Sequence, residues 1–187
     1  MFFRMLQYLK FLLKSTNQHG VHSPFVYNLV TKCFYDKEKT KAHKSIKRIC
    51  RKNDISYKKG KLLNRIPRYF DYKNVLVLDN KKEITQELLS LNNPILIDQK
   101  IHPKRTYDLI HFTLPRLQHY LRNDVLFSLI HNDSTIIIDS LYNSKDEILI
   151  WEEIKRCPKI TVTIDTFYLG FVFIRKEQAK EHFTIRN

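Results

Sequence analysis

The chain has 187 residues, of which 43% are hydrophobic and 28% charged, a balance that excludes a disordered polymer and allows one domain with a sizeable core. No uncharged apolar run approaches the ~20 residues a membrane span needs. The net charge of +14 is uneven: residues 1–73 carry 18 basic and 4 acidic side chains, and residues 74–187 carry 15 of each. That asymmetry predicts two regions, a basic helical segment over 1–73 and an α/β domain over 74–187.

The pattern over 2–14 predicts an amphipathic helix. Phe2, Met5, Leu6, Leu9, Leu12 and Leu13 share one face, and Arg4, Gln7, Lys10 and Lys14 lie on the other. Such a stripe serves a helix docked on its own protein or a helix lying on an anionic membrane surface; docking on the core is the expectation. Arg4, Lys10 and Lys14 interrupt the apolar run that a secretory signal requires. Cys33, Cys50 and Cys157 are odd in number and far apart, which fits a reducing cytoplasm and no zinc finger or disulfide framework.

Ser23-Pro24 is a helix start, because Ser caps well and the missing N–H of Pro costs nothing at the first helical position. Helices are further predicted over 38–52 and 61–70, with Pro67 expected to end or kink the latter. The stretch 37–61 holds eleven basic residues. Lys44, Lys47, Arg48, Arg51 and Lys52 form a candidate patch for nucleic acid or another anionic partner, against the plainer reading of a solvated face.

From Asn74 the pattern changes. Short apolar runs at 75–78, 95–98, 107–112 and 135–139 predict strands, and helices are predicted over 84–91, 117–130 and 145–156. Apolar strands alternating with helices indicate a parallel sheet covered on both faces. The runs 160–165 and 171–175 have no room for a helix between them and must be antiparallel neighbours. The short connection from Asp98 to Tyr107 predicts six strands, with 95–98 at the edge.

This layout, a Rossmann-like mostly parallel sheet ending in an antiparallel hairpin, is that of class I S-adenosylmethionine (SAM)-dependent methyltransferases. Two end motifs sharpen the likeness. His19-Gly20-Val21-His22-Ser23-Pro24-Phe25, followed by Cys33-Phe34-Tyr35-Asp36, and the stretch from Phe173 to Arg186 resemble a bacterial family of short class I methyltransferases with an N-terminal helical segment. The resemblance implies a SAM site at the carboxyl ends of the strands.

The middle of the chain departs from that family. The glycine-rich turn after the first strand is replaced by Val77-Leu78-Asp79-Asn80-Lys81-Lys82, and no glycine occurs between Gly60 and Gly170. Glycine there lets the backbone approach the cofactor. Thr113 and Ser140 stand where the family has acidic residues. The expectation is therefore a degenerate, non-catalytic relative with no cofactor; the alternative is an active methyltransferase of unknown acceptor. If SAM binds, the resemblance places it against Asp79, Asn80 and Asp98. Asp98 reads otherwise as a strand-ending surface acid. Asp139, with Tyr142 nearby, is a pocket candidate or a turn residue. His19 and His22 are expected in a structural turn, with a substrate-facing role or a metal pair as lesser readings; no third metal ligand is identifiable from spacing.

Overall fold

The computed structural model describes residues 2–38, 40–79 and 82–187. Helix α1 (Phe2–Lys14) is followed by a 3-10 turn (Gln18–Gly20) and by α2 (Pro24–Leu29), which runs on into a π-helical turn (Val30–Phe34). Ser23 caps α2, its Oγ accepting from Val26 N, and Pro24 occupies the first turn as expected. Helix α3 (Ala42–Lys52) is shorter than the reading over 38–52. Helix α4 (Tyr57–Phe70) is longer than the reading over 61–70 and continues three residues past Pro67. It closes where Asp71 turns left-handed and Tyr72 N donates to Pro67 O at 2.9 Å.

The sheet comprises β1 (Asn74–Leu78), β2 (Leu96–Asp98), β3 (Tyr107–Thr113), β4 (Ile130–Asp139), β5 (Val162–Asp165), β6 (Leu169–Phe173) and β7 (Glu181–Thr184), in the order β2-β1-β3-β4-β6-β5-β7. The first four are parallel, and β6 runs antiparallel to both β4 and β5. Strand β2 is an edge, as the short connection after Asp98 required. The expected six strands are corrected to seven. Strand β7 adds in parallel to β5 on the opposite edge, pairing Val162 with Glu181 and Asp165 with Thr184. Strand β4 also starts at Ile130, where the sequence suggested the end of a helix. The preceding helical stretch is α6 (Leu114–Arg122) with a separate 3-10 turn (Val125–Ser128). Helices α5 (Lys82–Ser90) and α7 (Lys145–Arg156) complete the fold.

Two apolar clusters flank the sheet. One packs α2, α3, α4 and α5 onto Val75, Val77, Leu109, Ile137, Ile164 and Phe171. The other packs α6 and α7 onto Leu76, Ile110, Phe112, Ile136, Ile138 and Val172. Alternate residues of each central strand thus serve opposite faces, so the strands read as continuous apolar runs.

Helix α1 departs from expectation. Five of the six residues of its predicted stripe are exposed, with Leu13 at 89% and Phe2 at 74% of full accessibility and only Leu12 half-buried, and Phe11 is its one buried side chain. The helix docks by its other side, through Arg4, Tyr8 and Phe11 around Phe167. Three aromatic or cationic groups around one ring hold that side.

Candidate functional site

The chain passes from β1 to β2 on one side and returns to β3 on the other, so the order of connection reverses between β1 and β3. Open α/β sheets bind ligands at such a point, outside the carboxyl ends of the strands. A cavity of about 900 Å³ lies there. It is lined by Asp79, which follows β1, by Thr113 and Asp139, the last residues of β3 and β4, by Arg4, Met5 and Tyr8 of α1, by Asp54 to Ser56 and Lys59, and by Phe167 and Tyr168.

Each strand-end acid already has partners. Lys59 Nζ on α4 reaches Asp139 Oδ1 at 2.5 Å, with both side chains largely buried, and Ser140 Oγ lies 3.3 Å from the same oxygen. Asp79 is buried; its Oδ2 accepts from Thr85 Oγ1 at 2.6 Å and lies 3.1 Å from Nδ1 of the fully buried His111. Asp98, at the end of β2, does not line the cavity. Its carboxylate takes Arg105 Nη1 at 2.7 Å and the Tyr107 hydroxyl at 3.1 Å, with His102 Nε2 at 3.6 Å. It thereby ties the 99–106 loop to the strand edge. Asn80 lies outside the described residues.

Tyr142 is not on the cavity wall but directly behind it. Its ring stacks on Phe167 at 5.1 Å, and its hydroxyl donates to Asp165 Oδ2, at the end of β5. Phe167 N–H donates to Asp165 Oδ1 at 2.7 Å. Burial pushes the Asp165 carboxyl up to about 6, while the hydrogen bonds from Tyr142 and Phe167 and the charge of Lys155 hold it from going further. Phe167 has φ 69° and Ser140 φ 52°, left-handed values uncommon for non-glycine residues. With Asp54 at φ 51°, left-handed backbone sits at three points of the cavity lining, where such strain commonly marks a site.

Lys59, Phe167, Tyr8 and Asp165 were missed from sequence. A signal existed for Asp165: it ends an apolar strand after Ile164, as Asp98 follows Ile97 and Asp139 follows Ile138. Lys59 was read only as part of a basic run.

The remaining candidates lie elsewhere. His19 and His22 are exposed on the turn that leads from the β7 edge to α2, and neither lines the cavity. Among the described residues no group of three His, Cys, Asp or Glu side chains is placed to hold a metal. Lys44, Lys47, Arg48, Arg51 and Lys52 are all exposed on α3, on the side away from its buried Ala42, Ile46, Ile49 and Cys50. None of the five pairs with an acidic side chain among the described residues. No described helix is long and apolar enough to cross a membrane.

No family model matches the chain, and no curated protein matches it in sequence. Solved structures do match in shape. The S-adenosylhomocysteine (SAH)-bound methyltransferase PaMTH1 of Podospora anserina superposes with a TM-score of 0.52 at 8% identity, over 83% of this chain and 97% of that one. The O-methyltransferase TomG of Streptomyces achromogenes, involved in tomaymycin synthesis and solved with SAM, gives 0.49 at 10% identity over 74% and 91%. A methyltransferase of Geobacter sulfurreducens gives 0.48 at 11% identity over 75% and 91%. With its sheet order, the likeness to PaMTH1 establishes the fold as that of class I methyltransferases.

Proposed function

We propose that this chain is a non-catalytic member of the methyltransferase fold that acts as a binding module for an anionic partner. Its end motifs support descent from the bacterial family carrying the His-Gly-Val-His-Ser-Pro-Phe sequence, and its separated free cysteines support a cytoplasmic setting.

The observation that carries this reading is the engagement of the strand-end acids. A dinucleotide-type site uses the acid after the second strand for the ribose and a glycine turn after the first for close approach. Here Asp98 is taken by Arg105 and Tyr107, Asp79 sits under Thr85 beside His111, and glycine is absent from the whole stretch. These residues do not fit SAM, whose sulfonium gains nothing from Lys59 and Arg4 on the cavity wall. The partner-binding element is α3, whose five exposed cations present charge to phosphates. A second reading, an active methyltransferase of unknown acceptor that holds SAM, is favoured by one observation: a cavity of about 900 Å³ remains at the point where the fold binds ligands.

Thermal unfolding with SAM and SAH separates the two. A ligand at a hundredfold over Kd stabilises a folded state by about 2.7 kcal/mol. For a chain of this size that raises Tm by roughly 5–10 °C. The expected result is no resolvable shift at millimolar concentrations of either ligand. Asp98→Ala should lower Tm equally with and without SAM, because it orphans Arg105 and Tyr107. A saturable shift lost in Asp98→Ala overturns the non-catalytic reading.

A further inference from the structure

We infer that α1 lies on an anionic lipid surface through its outer face. The helix is docked by a narrow aromatic arc and leaves its broader apolar stripe outside. Arg4, Tyr8 and Phe11 meet Phe167, while Phe2, Leu6, Leu9 and Leu13 stand exposed on the opposite side, with Met5 exposed at the edge of that stripe, where it also borders the cavity. Five large apolar side chains along one face of a thirteen-residue helix form a contiguous patch, not the scattered exposure of an ordinary surface.

Charge decides what covers the patch. Helix α1 contains Arg4, Lys10 and Lys14 and no acidic residue. Lys10 and Lys14 are exposed and pair with no acid among the described residues. Apolar residues on one arc with lysines at its border are the pattern of a helix lying in the plane of a membrane interface. The stems of those lysines follow the apolar surface while their ammonium groups reach the phosphates. A second copy of the chain is a poorer occupant, because each copy brings a net charge of +14 and the same lysines to the contact. Nucleic acid offers nothing to bury five aliphatic and aromatic side chains. Arg4, Met5 and Tyr8 also line the cavity, so the lipid-facing helix is at the same time a wall of the candidate site. This inference stands on α1 alone and is independent of the partner proposed for α3.

The experiment is co-sedimentation of the full chain with vesicles of phosphatidylcholine alone and of phosphatidylcholine with phosphatidylglycerol. Binding is expected only to the mixed vesicles and should weaken as salt rises. Leu9→Glu/Leu13→Glu removes two exposed side chains without touching the docked side. It should keep the wild-type circular dichroism spectrum and Tm, and reduce partitioning on the order of tenfold or more. Lys10→Glu/Lys14→Glu should do the same through charge. Failure of the wild type to bind mixed vesicles overturns the inference, as does binding unchanged in Leu9→Glu/Leu13→Glu. A dimer in solution that this variant dissociates also overturns it, because a second copy is then the occupant. Binding lost only on reversing the α3 cations assigns the attraction to α3 and overturns it equally.

Discussion

Burial pushes the Asp165 carboxyl from its ordinary 3.8 to about 6, and it is held by the N–H of Phe167, on the cavity wall, and by the hydroxyl of Tyr142, stacked behind Phe167. Lys155 and Glu152 add opposing charges. In the unfolded chain the group loses its proton near pH 4; in the folded chain it keeps it to about pH 6. Between those values the folded state binds more protons, so stability falls as pH rises through the window, by roughly 3 kcal/mol at most. Asp165→Asn keeps an acceptor for Phe167 and removes the titration. Urea unfolding at about pH 4 and about pH 7 should show the wild type losing stability relative to Asp165→Asn across that interval; parallel profiles would mean an ordinary carboxyl. Asp139 was legible because it ends an apolar run. Lys59 was not, because nothing local distinguishes the lysine that reaches Asp139 from the ten other basic residues of 37–61. That pairing is made between α4 and β4, eighty residues apart.

At the scale of elements, α3 and α4 approach closely at Gly60. A Cβ there would stand 2.3 Å from Cys50 Sγ and 3.3 Å from Ile46 Cγ2. Alanine in mid-helix normally gains up to ~1 kcal/mol over glycine, but the crowding reverses the sign. Gly60→Ala is expected to destabilise by about 1–3 kcal/mol through overpacking. Cys50→Ala/Gly60→Ala should recover a large part of that loss, since the sulfur is the obstructing atom. Equilibrium unfolding of the four members of the cycle measures the coupling; additive effects would place the strain elsewhere. Helices over 2–14 and 145–156 match the structure to the residue, because three- and four-residue spacing and caps are local. Which side of α1 turns inward was not legible: an apolar stripe has the same periodicity against a core or a lipid surface, and Phe167, which selects the docked side, lies far along the chain. Strand β7 escaped notice because four mixed residues, Glu181-His182-Phe183-Thr184, form a strand only once β5 offers an edge.

Across the whole molecule, the helical segment and the sheet share one apolar core, and the chain ends staple them together. Thr16 N donates to Thr184 O and Arg186 N to Thr16 O, each at 2.9 Å, while Tyr35 donates to Arg186 O. Residues 1–73 are therefore packed against a remainder of the chain that is neutral by count, and the +14 becomes a directed field instead of a diffuse excess. Within that segment α3 concentrates five exposed cations along eleven residues, whereas Arg65 is buried against the carbonyls of Cys33 and Phe34 and Lys59 is spent on Asp139. Reversing Lys44, Lys47, Arg48, Arg51 and Lys52 to Glu should thus remove most polyanion affinity, although thirteen other basic residues of the segment remain. Every phosphate that the variant no longer neutralises flattens the dependence of log K on log salt by roughly 0.9 for duplex DNA. Retention on heparin and binding to duplex DNA, measured across a salt series, check this. The five-fold variant should elute at distinctly lower salt with a shallower slope, and its far-ultraviolet spectrum should be unchanged because all five side chains point away from the core. Elution at the wild-type position would leave α3 a solvated face and move the search for the partner to the cavity.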